Sequence, residues 1–264
     1  MTEITPLDQA HAGMEAAPED DAARLRFFER LAESELFLML AEDASDDDQI
    51  TPEVFDLGDA RYVLVFDREE RLSRFADQPT PYVALSGRVI AGMLAGQGIG
   101  LGVNLDVAPS AILLPDTAVA WLKDTLDHTP DEVAAHIAEV FPPAGLSESL
   151  ISALDGKLAT AMGLAHCAYL VGIAYDSGAR GHLLAFVGAV PEAQEALAKA
   201  AAEALTFSGI EAGAMDVGFF RASDPLTASM ERVGLRFDLP QAQEPVLQPV
   251  AAPGSDPDKP PRLR

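Results

Sequence analysis

Apolar positions along the chain change period several times, and each change marks a short helix or strand. After Asp20 or Asp21, side chains suited to capping, Leu25, Phe28 and Leu31 recur at the interval that gathers them on one helical face. The run then tightens. Leu36-Phe37-Leu38-Met39-Leu40 is short, continuous and apolar, and Arg61-Tyr62-Val63-Leu64-Val65-Phe66 is richer in β-branched and aromatic residues, so both read as buried strands with an acidic loop between them. Asp67 offers a cap for a short helix to Phe75, closed by the turn from Pro79 to Pro81, and Tyr82-Val83-Ala84-Leu85 is the next strand. Ser86 is placed to cap a one-faced apolar helix from Arg88 to Ala95 that stops at Gly96. Ile99 to Leu105 and Ala111 to Leu114 are further strands. Pro115 then opens a helix in which Val119, Leu122 and Leu126 share a face with Trp121 beside them.

In the second half, Thr129-Pro130-Asp131-Glu132 combines a capping hydroxyl, a proline at the first helical position and Glu three residues after the cap, and predicts a short helix ending at Pro142-Pro143. A helix from Ser147 to Met162 carries the stripe Leu150, Leu154, Leu158 and Ala161. Cys167 to Tyr175 and His182 to Val187 are strands of a hairpin across the turn-rich Asp176-Ser177-Gly178-Ala179-Arg180-Gly181. Pro191 opens an alanine-rich helix to Leu205, Met215 to Phe220 is a strand, Asp224-Pro225 starts a last helix, and Leu235-Arg236-Phe237 closes the pattern. The fold class that follows is α+β: two small modules, each a mixed β-sheet with helices packed on it. The expected divisions are residues 1–20 as a flexible lead-in, 21–127 as the first module, 128–146 as a connection, 147–239 as the second module, and 240–264 as a disordered tail of proline, glutamine, aspartate and glycine.

Charge narrows the partners. Asp and Glu number 42 against 18 Lys and Arg, a formal charge of -24, which repels a phosphate backbone or an anionic membrane over most of the surface. Neither nucleic acid nor membrane is expected as a partner; solubility alone accounts for much of the charge, and a cationic partner is the other reading. The one cysteine, Cys167, excludes an internal disulfide and a cysteine-rich zinc site. Glu3, Asp8, Glu15, Glu19 and Asp20 stand where a signal peptide needs a basic start and an apolar core, so a cytoplasmic location is expected.

The stretch from Phe37 to Trp121 resembles the N-terminal domain of SseB-type bacterial proteins. The residues that carry this are Tyr62-Val63-Leu64-Val65-Phe66, Tyr82-Val83-Ala84-Leu85-Ser86-Gly87-Arg88, Gly98-Ile99-Gly100-Leu101-Gly102-Val103-Asn104 and Ile112-Leu113-Leu114-Pro115, in that order and spacing. The segment from Ala168 to Phe237 similarly resembles the family's C-terminal domain, through Tyr169-Leu170-Val171, His182-Leu183-Leu184 and Met215-Asp216-Val217. The resemblance implies an architecture for most of the chain and no reaction, because the family brings no established catalytic residues.

Motifs of known chemistry fail on spacing. Gly96-Gln97-Gly98-Ile99-Gly100-Leu101-Gly102 looks like a phosphate cradle, but a dinucleotide fingerprint would need glycine at Leu101 or Val103 and a helix to follow. The acidic run Glu42 to Asp48 is no EF-hand: a loop begun at Asp43 puts Asp48 where glycine must turn the chain and Val54 where the bidentate Glu belongs. Cys167 and His166 are strand neighbours that point to opposite faces and cannot form a thiolate pair. His11, His128, His136, His166 and His182 never fall at metal-pair spacings, and Ser86 and Ser177 lack the glycines of a nucleophile elbow. No catalytic residue, cofactor or metal is therefore expected. Ser86, Arg88 and Asn104 remain as candidate ligand or partner contacts at strand ends; as structural groups they would cap a helix, pair with an acid and set a turn. The expected function is a non-enzymatic protein-interaction or regulatory module whose partner is another protein; the alternative is a small-molecule binder or enzyme with its site in the cleft between the modules.

Overall fold

In the computed structural model, which describes residues 3–42, 50–128, 136–210 and 215–241, the chain opens with a helix where a flexible lead-in was expected. This helix, α1 (Pro6–Ala16), starts from a reciprocal cap: the Thr5 hydroxyl accepts from the Asp8 N–H, and the Asp8 carboxylate accepts from the Thr5 N–H. Leu7, Ala10, His11 and Met14 form its inner stripe, packed towards Phe27 and the first core. The stripe contains a histidine and adjoins a buried aspartate, so apolar periodicity alone understates it.

There follow α2 (Asp21–Glu33), β1 (Glu35–Met39), β2 (Val54–Leu57), β3 (Ala60–Phe66), α3 (Glu69–Ala76), β4 (Tyr82–Ser86), α4 (Gly87–Leu94), β5 (Ile99–Val103), β6 (Ile112–Leu114) and α5 (Asp116–Asp127). Their strands join in the order β4-β1-β3-β5-β6 with β2 also on β3, and only β3 and β5 run parallel. The register turns Leu36, Leu38, Val63, Val65, Leu101, Val103 and Leu114 to one face, which α1, α2, α4 and α5 cover. On the other face α3 lays Leu72 over Met39, Leu64 and Phe66. Asp67 does not cap α3; Arg68 occupies the cap position without a side-chain bond, and the Asp67 carboxylate is taken by Thr5 and Arg71.

Where β4 turns into α4, Gly87 has the backbone carbonyl of Leu31 in the place an added methyl would fill. The clash is with backbone, which cannot swing aside as a side chain can. Gly87→Ala is therefore expected to destabilise the chain by about 1–3 kcal/mol, read as a lower urea midpoint at unchanged slope.

The second module holds β7 (Ile137–Phe141), α6 (Glu148–Thr160), β8 (Cys167–Tyr175), β9 (Arg180–Val187), a 3-10 turn (Pro191–Ala193), α7 (Gln194–Phe207), β10 (Met215–Phe220), α8 (Pro225–Val233) and β11 (Leu235–Asp238). Its sheet is ordered β10-β9-β8-β11 with β7 also on β8, and α7 makes the crossover between the parallel β9 and β10. The expected connection over 128–146 is thus corrected: Ile137–Phe141 is a strand of this sheet, not a linker or the end of a helix. Gly172 makes room for it, since the Phe141 ring lies where a Cβ would be, with the Arg180 guanidinium 4.8 Å above that ring. The proline-led start at 129–135 and the tail from 242 onward lie outside the described residues. Helices α6 and α7 cover one face of the sheet, and Met230 of α8 packs on the other.

The modules meet through their helices. Helix α7 packs against α2 and α5, and its last residue, Phe207, is buried in the core of the first module. The order of layers is sheet, helices, helices, sheet, with α3 and α8 on the outer faces. Among the described residues no helix is long and apolar enough to cross a membrane.

Candidate functional site

Polar side chains below the surface collect in two clusters. The first is built around Arg71 of α3, whose side chain is 1% exposed. Its Nη1 donates to Asp67 Oδ1 at 2.8 Å and to Asp8 Oδ1 at 3.0 Å, and its Nη2 donates to Asp8 Oδ2 and to the Glu3 carbonyl. Asp8 also accepts from the Ser110 hydroxyl at 2.6 Å and the Thr5 N–H at 2.9 Å. Asn104, in a left-handed conformation at φ 50° between β5 and β6, accepts the Asp67 N–H and donates to Ser110. Burial alone would raise the Asp8 carboxyl, but hydrogen bonds from Arg71, Ser110 and Thr5 and the guanidinium charge outweigh it and hold the group well below the ordinary carboxylate range. Burial would likewise lower Arg71, and Asp8 and Asp67 reverse that and raise it.

The acceptor capacity of Asp8 is filled. Each of its oxygens takes two hydrogen bonds, Oδ1 from Arg71 and Ser110 and Oδ2 from Arg71 and Thr5, matching the roughly four lone-pair sites of a carboxylate. Such a group ties α1, α3 and the β5–β6 connection together and has no lone pair left for a ligand.

The second cluster lies between the modules. Arg88 of α4 holds Glu203 of α7 in a bidentate pair at 2.7 and 3.0 Å, and Lys157 of α6 reaches Glu203 at 3.2 Å, Glu29 at 3.6 Å and Glu33. Burial would raise Glu203, but Arg88 and Lys157 lower it; burial raises Glu29, with Lys157 opposing and Glu33 adding to the rise. Lys157 is held above its ordinary value against burial by Glu33, Glu203 and Glu29.

The sequence-derived candidates do not converge. The Ser86 hydroxyl accepts the Val89 N–H at 3.4 Å and caps α4, Arg88 is spent on Glu203, and Asn104 sits in the other cluster with no exposed surface. The sequence marks Asp67 only as a helix cap and assigns no site role to Asp8, Arg71, Ser110, Lys157 or Glu203. Two local signals existed: Thr5 and Asp8 at cap spacing, and Asp67 and Arg71 at i, i+4. The pairing of Arg88 with Glu203, 115 positions apart, has no local signature.

Cys167 is buried, and among the described residues no group of His, Cys, Asp and Glu could hold a metal ion. A cleft of about 430 Å³ opens beside the first cluster, lined by Thr5, Arg30, Phe37, Arg68 and Glu69 among others. A second, of about 340 Å³, lies between α6 and β11 over Ile151, Leu235 and Phe237. Each belongs to one module rather than to the contact between them.

Residues 7–121 match the family model of the SseB protein N-terminal domain, a span that takes in α1 from Leu7 and runs to Trp121 in α5. Neither the curated proteins nor the solved structures include a match to the chain.

Proposed function

From the match of residues 7–121 to the SseB N-terminal domain, we propose that the chain is an SseB-like protein that is non-enzymatic, an interaction or regulatory module that acts by binding another protein. The observation that carries this reading is that its buried charges bond to one another, with the Asp8 carboxylate taking two hydrogen bonds at each oxygen. Acid–base or nucleophilic catalysis needs a group within reach of substrate and free to give or take a proton. Asp8, Arg71, Glu203 and Lys157 have shifted protonation, and the bonds they make hold elements or modules together. Perturbed groups of this kind belong to structural ion-pair networks as readily as to active sites.

Among the described residues, Phe207, the Arg88–Glu203 pair and Lys157 occupy the contact between the modules, which supports this reading over that of an intermodule binding cleft. The test is to identify a partner by in-cell photocrosslinking of the full chain, then measure its affinity with purified components beside a metabolite thermal-shift screen. The reading expects a saturable protein complex and no metabolite effect. A metabolite that raises the melting temperature as mass action requires, with no protein partner retained, would overturn it.

A further inference from the structure

We propose that the uncovered half of the outer face of the first sheet is the docking surface, and that its occupant is a segment of another protein that is basic and amphipathic. Helix α3 crosses this face from Tyr82, which donates to Glu69, to Val107, whose carbonyl accepts from Arg74. It covers Met39, Leu64 and Phe66, with Phe55 of β2 half-buried against that cluster and Leu57 exposed beyond it. Pairing register places Phe55 with Tyr62, Leu57 with Ala60, Tyr62 with Gly100, and Leu64 with Gly102 and Leu113, so all these positions share that face. Leu57 is 46% exposed and Leu113 43% exposed, at opposite ends of the uncovered area. Between them the Tyr62 ring lies across Gly100, where a Cβ would strike it, and the result is a low apolar platform rather than a ridge.

Charge selects the occupant. Asp59 is exposed in the turn of the hairpin that borders the platform and Glu53 keeps the period of Phe55 and Leu57 at its entry, whereas the Asp56–Arg61 pair belongs to the opposite face, where the Arg61 guanidinium donates to the Gln97 carbonyl. A second copy of this chain would bring -24 against -24 and carboxylates against carboxylates, so self-association through this face is opposed. A segment with leucine or aromatic side chains on one side and Lys or Arg on the other matches both the platform and its rim.

This placement rests on the interaction-protein reading, and the two fail separately. The probe is a designed amphipathic helix of leucine and lysine, titrated into the full chain, with the same helix carrying glutamate for lysine as its counterpart. Amide shifts are expected at Phe55, Leu57, Tyr62 and Leu113, and L57D/L113D should weaken binding about tenfold or more at unchanged melting temperature. V89D/M162D adds the same charge at exposed apolar residues elsewhere and should leave affinity within about twofold. Equal loss in both variants would reduce the effect to net charge and overturn the site, as would equally tight binding of the glutamate helix. Wild-type dimers in sedimentation that L57D/L113D abolishes would overturn the occupant in favour of a second copy. In each of those cases a crosslinked protein partner elsewhere on the surface would leave the broader reading standing.

Discussion

Arg71→Met is expected to lower the stability of the full chain by about 3–5 kcal/mol at neutral pH, because it strands two buried carboxylates without their cation. Asp8 is 1% exposed at the side chain, too deep for water to replace the guanidinium, and Asp67 is 4% exposed at the edge of the neighbouring cleft. The pH dependence gives the effect its signature. In the native protein Asp8 is held below its unfolded value, so its contribution is fully present above about pH 4 and is lost as pH falls through the folded value. In Arg71→Met the Asp8 carboxyl keeps its bonds from Ser110 and Thr5 but loses the guanidinium, and burial is expected to lift it above its unfolded value. The sign then reverses, and the variant loses stability as pH rises from about 4 to 7. Urea midpoints across that range should diverge with rising pH. The double variant D8L/R71M, which removes the stranded charge on α1, should recover part of the loss; midpoints that stay parallel would show that the pair is not the source.

Phe207→Ala is the second large change. The ring is 1% exposed, belongs to the second module by sequence, and packs in the core of the first. Truncation should cost about 3–5 kcal/mol in lost burial and residual cavity. The sharper consequence is a loss of coupling. Trp121, the one tryptophan of the chain, reports on the first module through its edge contact with Phe28 at 5.1 Å. In the wild type its fluorescence transition should coincide with the far-ultraviolet transition of the whole chain, and in Phe207→Ala the two should separate. Coincident transitions in the variant would mean that the charge cluster of Arg88, Lys157 and Glu203 couples the modules without the ring.

Most strands and helices were legible because one face of each sheet is buried under apolar helices, and burial writes its period into the sequence. Leu36-Leu38-Leu40, Val63-Val65 and the stripe Leu150, Leu154 and Leu158 are such cases. Helix α1 was missed for the opposite reason: its inner face carries Asp8 and His11, whose burial depends on Arg71, Ser110 and Phe27 far along the chain. Strand β7 was missed because Pro130 and Glu132 supply strong helix-start signals just upstream, while Ile137, Val140 and Phe141 are only half-buried against β8. At the candidate sites, cap geometry was readable for Ser86, but the roles of Arg88 and Asn104 are set by Glu203, Asp67 and Ser110, which no local pattern connects to them. The outer-face platform was hidden in the same way, since Leu57 and Leu113 become neighbours of one surface only through the β2-β3-β5-β6 register.

The most direct test of an interaction protein whose buried charges are structural is a carbon-13 titration of the Asp8 carboxyl in the full chain. The carboxyl is expected to stay ionised well below the ordinary value of about 4 and to take up its proton only as the fold is lost. Reversible protonation of Asp8 near neutral pH with the fold intact would contradict that expectation, because the carboxylate would then be free to exchange a proton.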